Sequence, residues 1–165
     1  MSEAARPLVF LLTVAVFDGL LMIAVACLGL LGHAVWGGRA EAARQVLIDA
    51  LPRSVLLGLA NTAGMVLLVI LGARVLPGQG HVLAILLFLG WAWLFLAGLP
   101  GVLAGLGQRV LGLFEVPATP ALSTITGAVV VCGGGLFPWI GQIMLVLAIA
   151  ATVGAGTLSA LRKNF

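Results

Sequence analysis

The residue whose chemistry is most conspicuous in this sequence is an aspartate inside a long apolar run. Asp18 lies near the centre of residues 8–31, which contain no other charged side chain. A carboxylate at the centre of a bilayer costs about 2.5–3.5 kcal/mol on insertion scales, so Asp18 must face protein or water. It could make a structural hydrogen bond, carry protons or ions, or stay protonated without a role. Its candidate hydrogen-bond partners are Asn61, Thr62, Gln142 or a neighbouring subunit.

Other residues that could support catalysis or ligand binding are few. Proton relays generally need several acidic or histidine groups, whereas Asp18 is the single carboxylate within an apolar span. His33 and His81 are the only histidines, and the spans predicted below place them on opposite sides of a membrane. The sequence contains no HExxH motif, no Walker A motif and no paired catalytic acids. We therefore expect no enzymatic activity, no metal and no cofactor.

Glycine is the most abundant signal for helix packing, with 23 residues in the chain. Gly101 and Gly105 form a GxxxG pair, a spacing that places two small residues on one helix face. Small faces let helices approach closely in lipid, either within one bundle or between subunits. Gly101 and Gly105 are therefore packing candidates.

The amino-acid composition of the chain indicates whether it folds in water or in a membrane. Of its 165 residues, 62% are hydrophobic and 8% are charged, and the mean hydropathy is +1.27. Soluble domains are about 45–50% apolar and about 25% charged, so this chain belongs in a membrane. Its eight basic residues are scattered, whereas nucleic-acid binding needs a basic stripe. We therefore expect no nucleic-acid partner.

Hydropathy and helix-breaking residues predict one membrane domain, residues 1–165, that contains several spans. The predicted fold is an all-α polytopic transmembrane bundle with five membrane helices, the fourth short and either crossing or re-entrant. Between the first two spans, apolar residues at helical spacing alternate with charges, which predicts one interfacial amphipathic helix over about 39–51. An ordinary solvated linker helix is the alternative for that segment. The five spans are predicted at 8–31, 55–76, 82–100, 120–136 and 138–161.

The distribution of basic residues predicts an orientation. If the short helix 120–136 crosses the membrane, one side carries two basic residues and the other carries six; if it re-enters, the division is four and four. The positive-inside rule favours the first distribution. We therefore expect the N-terminus outside, on the side of the 77–81 turn, and the C-terminus in the cytoplasm.

Several short motifs follow one another in a recognisable order. They are LPRSVLLGL at 51–59, LPG at 76–78, LGQRVL at 106–111, LFPWIG at 136–141 and GAG at 154–156. Over residues 40–160 this order resembles the polytopic membrane domain attached to bactofilin-type polymer-forming proteins of bacteria. The β-helical polymer-forming repeats of that family are absent from the sequence. The resemblance implies a bacterial cytoplasmic-membrane protein with a structural or anchoring role, and it brings no catalytic residues.

These patterns lead to one main functional hypothesis and one alternative. The main hypothesis is a non-enzymatic structural, anchoring or accessory subunit of a bacterial inner-membrane assembly. Its partners are other membrane protein subunits and lipids, in a homo- or hetero-oligomer. The alternative is a small transporter or channel that uses Asp18 and the broken helix at Gly133–Pro138, because discontinuous helices often form transport sites.

Overall fold

A computed structural model describes residues 5–75, 80–135, 137 and 139–162, and these residues form four α-helices and no strand. The helices are α1 (Ala5–Val75), α2 (Gly80–Leu113), α3 (Pro120–Gly135) and α4 (Ile140–Arg162). Three of them, α1, α2 and α4, are long and apolar enough to cross a membrane. The predicted all-helical, membrane-type fold is confirmed, whereas the predicted count of five membrane helices is not matched.

The difference in helix count arises mainly in α1, which is bent at two residues. Trp36 (φ −125°, ψ 38°) and Ala50 (φ −142°, ψ 41°) depart from helical geometry and divide α1 into three parts. We call these the first, middle and last segments, residues 5–35, 37–49 and 51–75. They correspond to the first predicted span, the predicted interfacial helix and the second span. No loop separates them, because Pro52 lies in the first turn of the last segment, where a missing N–H is tolerated.

The middle segment of α1 packs inside the bundle. Ala40, Ala43 and Leu47 are fully buried. A Cβ added at Gly101 would lie 2.6 Å from the Cβ of Ala43, and one at Gly105 would lie 2.7 Å from Leu47 Cδ2. The Gly101 and Gly105 face therefore receives the apolar side of this segment within the same chain.

Contacts along the helices fix their relative directions. Trp91 bonds to Thr62 and Leu83 lies beside Gly72, so α2 runs antiparallel to the last segment of α1. Ser54 bonds to Ala151 and Asn61 to Thr157, so α4 runs parallel to that segment. It follows that α4 runs antiparallel to α2.

The short helix α3 also runs antiparallel to α2. Gly107 meets Ser123, and Gly127 meets Leu103, so residue numbers rise along α3 as they fall along α2. Helices α3 and α4 therefore both run antiparallel to α2. The buried Gly141 packs against the carbonyls at the end of α3. Part of the predicted break at Gly133–Pro138 lies outside the described residues, at 136 and 138.

These directions place the Arg162 end of α4 at the same end of the bundle as the Gly80 end of α2. The predicted arrangement put the C-terminus on the side opposite the 77–81 turn. Among the described helices, α3 is not one of the three that are long and apolar enough to cross a membrane. The physical reason is that α3, with 16 residues, is about 24 Å long, which is shorter than a hydrocarbon core of about 30 Å. The N-terminal residues 1–4 and the turn residues 76–79 lie outside the described part of the chain.

Three reciprocal glycine contacts join the helices at backbone distance. The pairs are Gly58 with Gly154, Gly98 with Gly156, and Gly107 with Gly127. At each of these six glycines, an added Cβ would overlap the backbone oxygen of the residue four positions before its partner glycine. No side chain fits between these helices, so each junction depends on glycine at both positions.

We predict that alanine has opposite effects at two glycines of α2. Gly107→Ala places a methyl group on the Ser123 carbonyl and should lower the free energy of unfolding by about 1–3 kcal/mol. Gly90→Ala meets nothing within 4 Å and should be neutral or raise it by up to about 1 kcal/mol. Thermal unfolding in a mild detergent measures both variants. Equal destabilisation at the two positions would contradict the close helix contact.

The relative directions of α2 and α4 predict a labelling pattern. His81 lies near the start of α2 and Leu161 near the end of α4, and both are exposed. In a background without native cysteines, His81→Cys and Leu161→Cys should react with an impermeant maleimide from the same side of sealed vesicles. Phe114→Cys, beyond the other end of α2, should react from the opposite side. Labelling of positions 81 and 161 from opposite sides would contradict the antiparallel course of α2 and α4.

Candidate functional site

Asp18 lies in a cavity between helices. The cavity has a volume of about 350 Å³, and Asp18, Cys132 and Thr152 are the residues of its lining with polar side-chain atoms. Thr152 donates its own hydroxyl to the Ala148 carbonyl at 2.7 Å. Within the described part of the chain, no hydrogen bond joins Asp18 to Asn61, Thr62 or Gln142. The cavity therefore holds a half-buried carboxylate in mostly apolar surroundings.

The expected partners of Asp18 bond elsewhere. Asn61 donates to the Thr157 hydroxyl at 3.5 Å, which connects the last segment of α1 to α4. Thr62 accepts a hydrogen bond from the Trp91 indole at 3.1 Å and donates to the Gly58 carbonyl at 2.8 Å. Gln142 is exposed. Asn61 and Thr62 thus join helices to one another and leave Asp18 without their amide and hydroxyl groups.

A second polar cluster connects the middle segment of α1 to α2. The Arg44 guanidinium forms a two-bond contact with Glu41: Nε donates to Glu41 Oε2 at 2.9 Å and Nη2 donates to Glu41 Oε1 at 2.5 Å. Arg44 Nη1 also donates to Gln108 Oε1, a residue of α2. Glu41 and Arg44 are part-exposed, so the ion pair alone contributes less than about 1 kcal/mol. The cluster mainly fixes the register of the middle segment on α2.

A cavity of about 270 Å³ borders this cluster and is also lined by His33 and Ser123. His33 Nε2 is buried and has no hydrogen-bond partner among the residues that the structure describes. We did not predict this cluster from the sequence, although the i, i+3 spacing of Glu41 and Arg44 is typical of an ion pair on one helix face. The contribution of Gln108 depends on a contact between residues 64 positions apart, which no local pattern reveals.

Arg109 occupies the bend at Ala50. Its Nη2 lies 3.4 Å from the Leu47 carbonyl oxygen and 3.5 Å from the Ile48 carbonyl oxygen. Pro52 has no N–H to donate to Ile48 four residues earlier, and the bend ends the middle segment there. A cation at the C-terminal end of a helical segment is favourable both for the freed carbonyls and for the helix dipole.

The chemistry available to these groups is therefore packing and polar bridging between helices. Among the described residues, no group of three or more His, Cys, Asp or Glu side chains could hold a metal ion. Cys132 is buried, and exposed Cys27 lies in the first segment of α1. Neither of them belongs to a recognisable nucleophile and base pair.

No family model, curated protein or solved structure matches this chain.

The cavity around Asp18 predicts the effect of an apolar substitution. Asp18→Leu should leave the free energy of unfolding in detergent unchanged or raise it by about 1 kcal/mol, because it removes a carboxylate and fills apolar space. Ser54→Leu is the contrasting variant, since Ser54 is fully buried and donates to the Ala151 carbonyl at 2.9 Å. It should lower the unfolding midpoint strongly. A large loss of stability in Asp18→Leu would indicate a structural hydrogen bond of Asp18.

Proposed function

We propose that this chain is a non-enzymatic structural or accessory subunit of a membrane protein assembly. The main observation behind this proposal is the exposed apolar surface along α1, α2 and α4. Large side chains on it include Leu20, Leu67, Leu86 and Ile143, with exposed fractions between 57% and 63%. Lipid tails or the apolar faces of other membrane helices are the natural contacts of such a surface.

The polar side chains that bridge helices support the same proposal, because their hydrogen bonds hold the helices together. Asn61 and Thr62 bridge α1 to α4 and α2, while Arg44 and Arg109 fasten the middle segment of α1 to α2. The connection between α2 and α3 is short, running from 114 to 119. Partners made of membrane helices and lipid therefore suit the chain better than large soluble ones.

The location that we propose is the bacterial cytoplasmic membrane. The resemblance of residues 40–160 to the membrane domain of bactofilin-type proteins supports this location and a structural or anchoring role. In this proposal the chain supplies only the membrane part, and no polymer-forming activity is attributed to it. The homo- or hetero-oligomeric nature of the assembly is decided by the experiment that follows.

Extraction in a membrane-solubilising polymer tests the subunit proposal. We expect the 16.8 kDa chain to leave the membrane in a particle that contains further copies or other membrane proteins. Mass photometry of the particle, followed by denaturing gels, measures its protein content. A particle that contains a single copy of this chain and lipid alone would contradict the proposal.

The second candidate function is transport, and the observation that favours it is the cavity of about 350 Å³ that contains Asp18 and reaches Gly135 at the end of α3. Such a carboxylate beside an interrupted helix is a feature of many transport sites. The predominantly apolar lining of the cavity argues against a hydrated path.

Proton flux into proteoliposomes distinguishes the two functions. We expect the purified chain to give no more flux than empty liposomes, measured with a pH-sensitive dye under an imposed membrane potential. A protonophore added at the end shows that the vesicles are sealed. Flux that is present in the unmodified chain and absent in Asp18→Asn would support transport and reject the purely structural role.

A further inference from the structure

A cavity lies beside Trp36, where the first and middle segments of α1 meet. Its volume is about 840 Å³, and Ser159 of α4 completes its wall. The side chains that give it polar character are Arg39, Gln45 and Ser159. We call it the Trp36 cavity.

Arg39 is the charged group of this cavity, and the cavity lining contains no carboxylate. The other arginine of the middle segment, Arg44, is neutralised by Glu41 at 2.5 Å. Among the described residues, no acidic side chain forms an ion pair with Arg39. Because an unpaired guanidinium next to lipid is costly, it favours an anionic partner that accepts hydrogen bonds.

The surroundings of Arg39 favour a phosphate group. Gln45 lines the cavity, with its amide also within reach of the Glu41 carboxylate, and Gly37 and Gly38 leave open space, since a Cβ at either would meet nothing within 4 Å. The guanidinium fork matches phosphate oxygens with two parallel hydrogen bonds. A phosphate therefore has both the charge and the room that this cavity offers.

The apolar rim of the cavity favours a lipid as the source of that phosphate. Val35 is 67% exposed, and Leu31, one turn earlier on the first segment of α1, is 63% exposed. The Trp36 ring packs edge-on against Trp93 with centroids 5.2 Å apart, so the bend of α1 at this cavity packs on α2. Acyl chains can thus lie along exposed aliphatic residues while the headgroup meets Arg39.

We propose that the Trp36 cavity binds the phosphate of an anionic phospholipid headgroup through Arg39. The proposal depends on residence in a membrane and not on the subunit role, so it can fail while the proposed function stands. A free phosphate ion shares the same chemistry, and the experiment includes it as a separate probe. The lipid class that fits is a phosphodiester with no positive charge of its own, such as phosphatidylglycerol.

The test uses the full chain, delipidated in a neutral detergent, and counts bound lipids by native mass spectrometry. We expect one phosphatidylglycerol per chain to bind at about tenfold lower concentration than phosphatidylcholine, the change that one charge-assisted interaction supplies. Arg39→Gln should abolish this difference, and Arg39→Lys should retain part of it. Arg74→Gln, which removes an exposed arginine of the last segment, is the matched control and should bind like the unmodified chain.

Each outcome decides the proposal. Equal affinity for the two lipids, or an equal loss in Arg39→Gln and Arg74→Gln, would overturn it. Displacement of phosphatidylglycerol by inorganic phosphate at millimolar concentration would identify a soluble anion as the ligand and overturn the lipid assignment. Thermal unfolding in phosphatidylcholine shows whether Arg39→Gln is folded. If it is not, lipid selectivity is measured on the Arg39→Lys and Gln45→Ala variants instead. Unchanged selectivity in both variants would also overturn the proposal.

Discussion

The rest of this structure depends on backbone contact between helices at reciprocal glycines. In lipid, apolar side chains gain little by leaving one apolar environment for another, so helices associate through dispersion contacts and hydrogen bonds. Both increase steeply as two backbones approach. At the pairs Gly58–Gly154, Gly98–Gly156 and Gly107–Gly127, an added Cβ would lie 1.8–2.2 Å from a carbonyl oxygen of the facing helix. Backbones this close favour weak Cα–H···O contacts. These three junctions connect α2 to α3 and α4, and α4 to the last segment of α1.

The polar side chains add selectivity to these contacts without forming a reactive centre. Ser54, Asn61 and Thr62 each bond from the last segment of α1 to another helix. Arg44 and Arg109 hold the middle segment at the level where α1 bends. Hydrogen bonds of this kind average well under about 2 kcal/mol in membranes, so their value lies in fixing helix register. Asp18 and Arg39 are different, because each borders a cavity and forms no ion pair among the described residues.

Local patterns in the sequence predicted the environment, the helical class and several packing residues. Long apolar runs indicated membrane helices, and the small residues Gly101 and Gly105 indicated a close contact that the middle segment of α1 makes. The i, i+3 spacing of Glu41 and Arg44 is also a local signal, although we did not predict their pairing from it. The partner of each helix face did not follow, because apolar faces with small residues are nearly interchangeable. For the same reason Asn61 and Thr62 were among the candidate hydrogen-bond partners of Asp18, whereas they bond to Thr157 and Trp91.

The sequence by itself determined that this chain is helical and suited to lipid, since composition and apolar run length depend on no distant contact. The folded structure was needed to show that α1 continues through two bends, that its charged middle segment packs on α2, and that α3 and α4 both run antiparallel to α2. Each of these results depends on contacts between residues far apart in the chain, such as Arg44 with Gln108 and Ser54 with Ala151. A helix of 16 residues such as α3 satisfies its backbone locally whether or not it crosses, so its path is decided by the helices against which it packs.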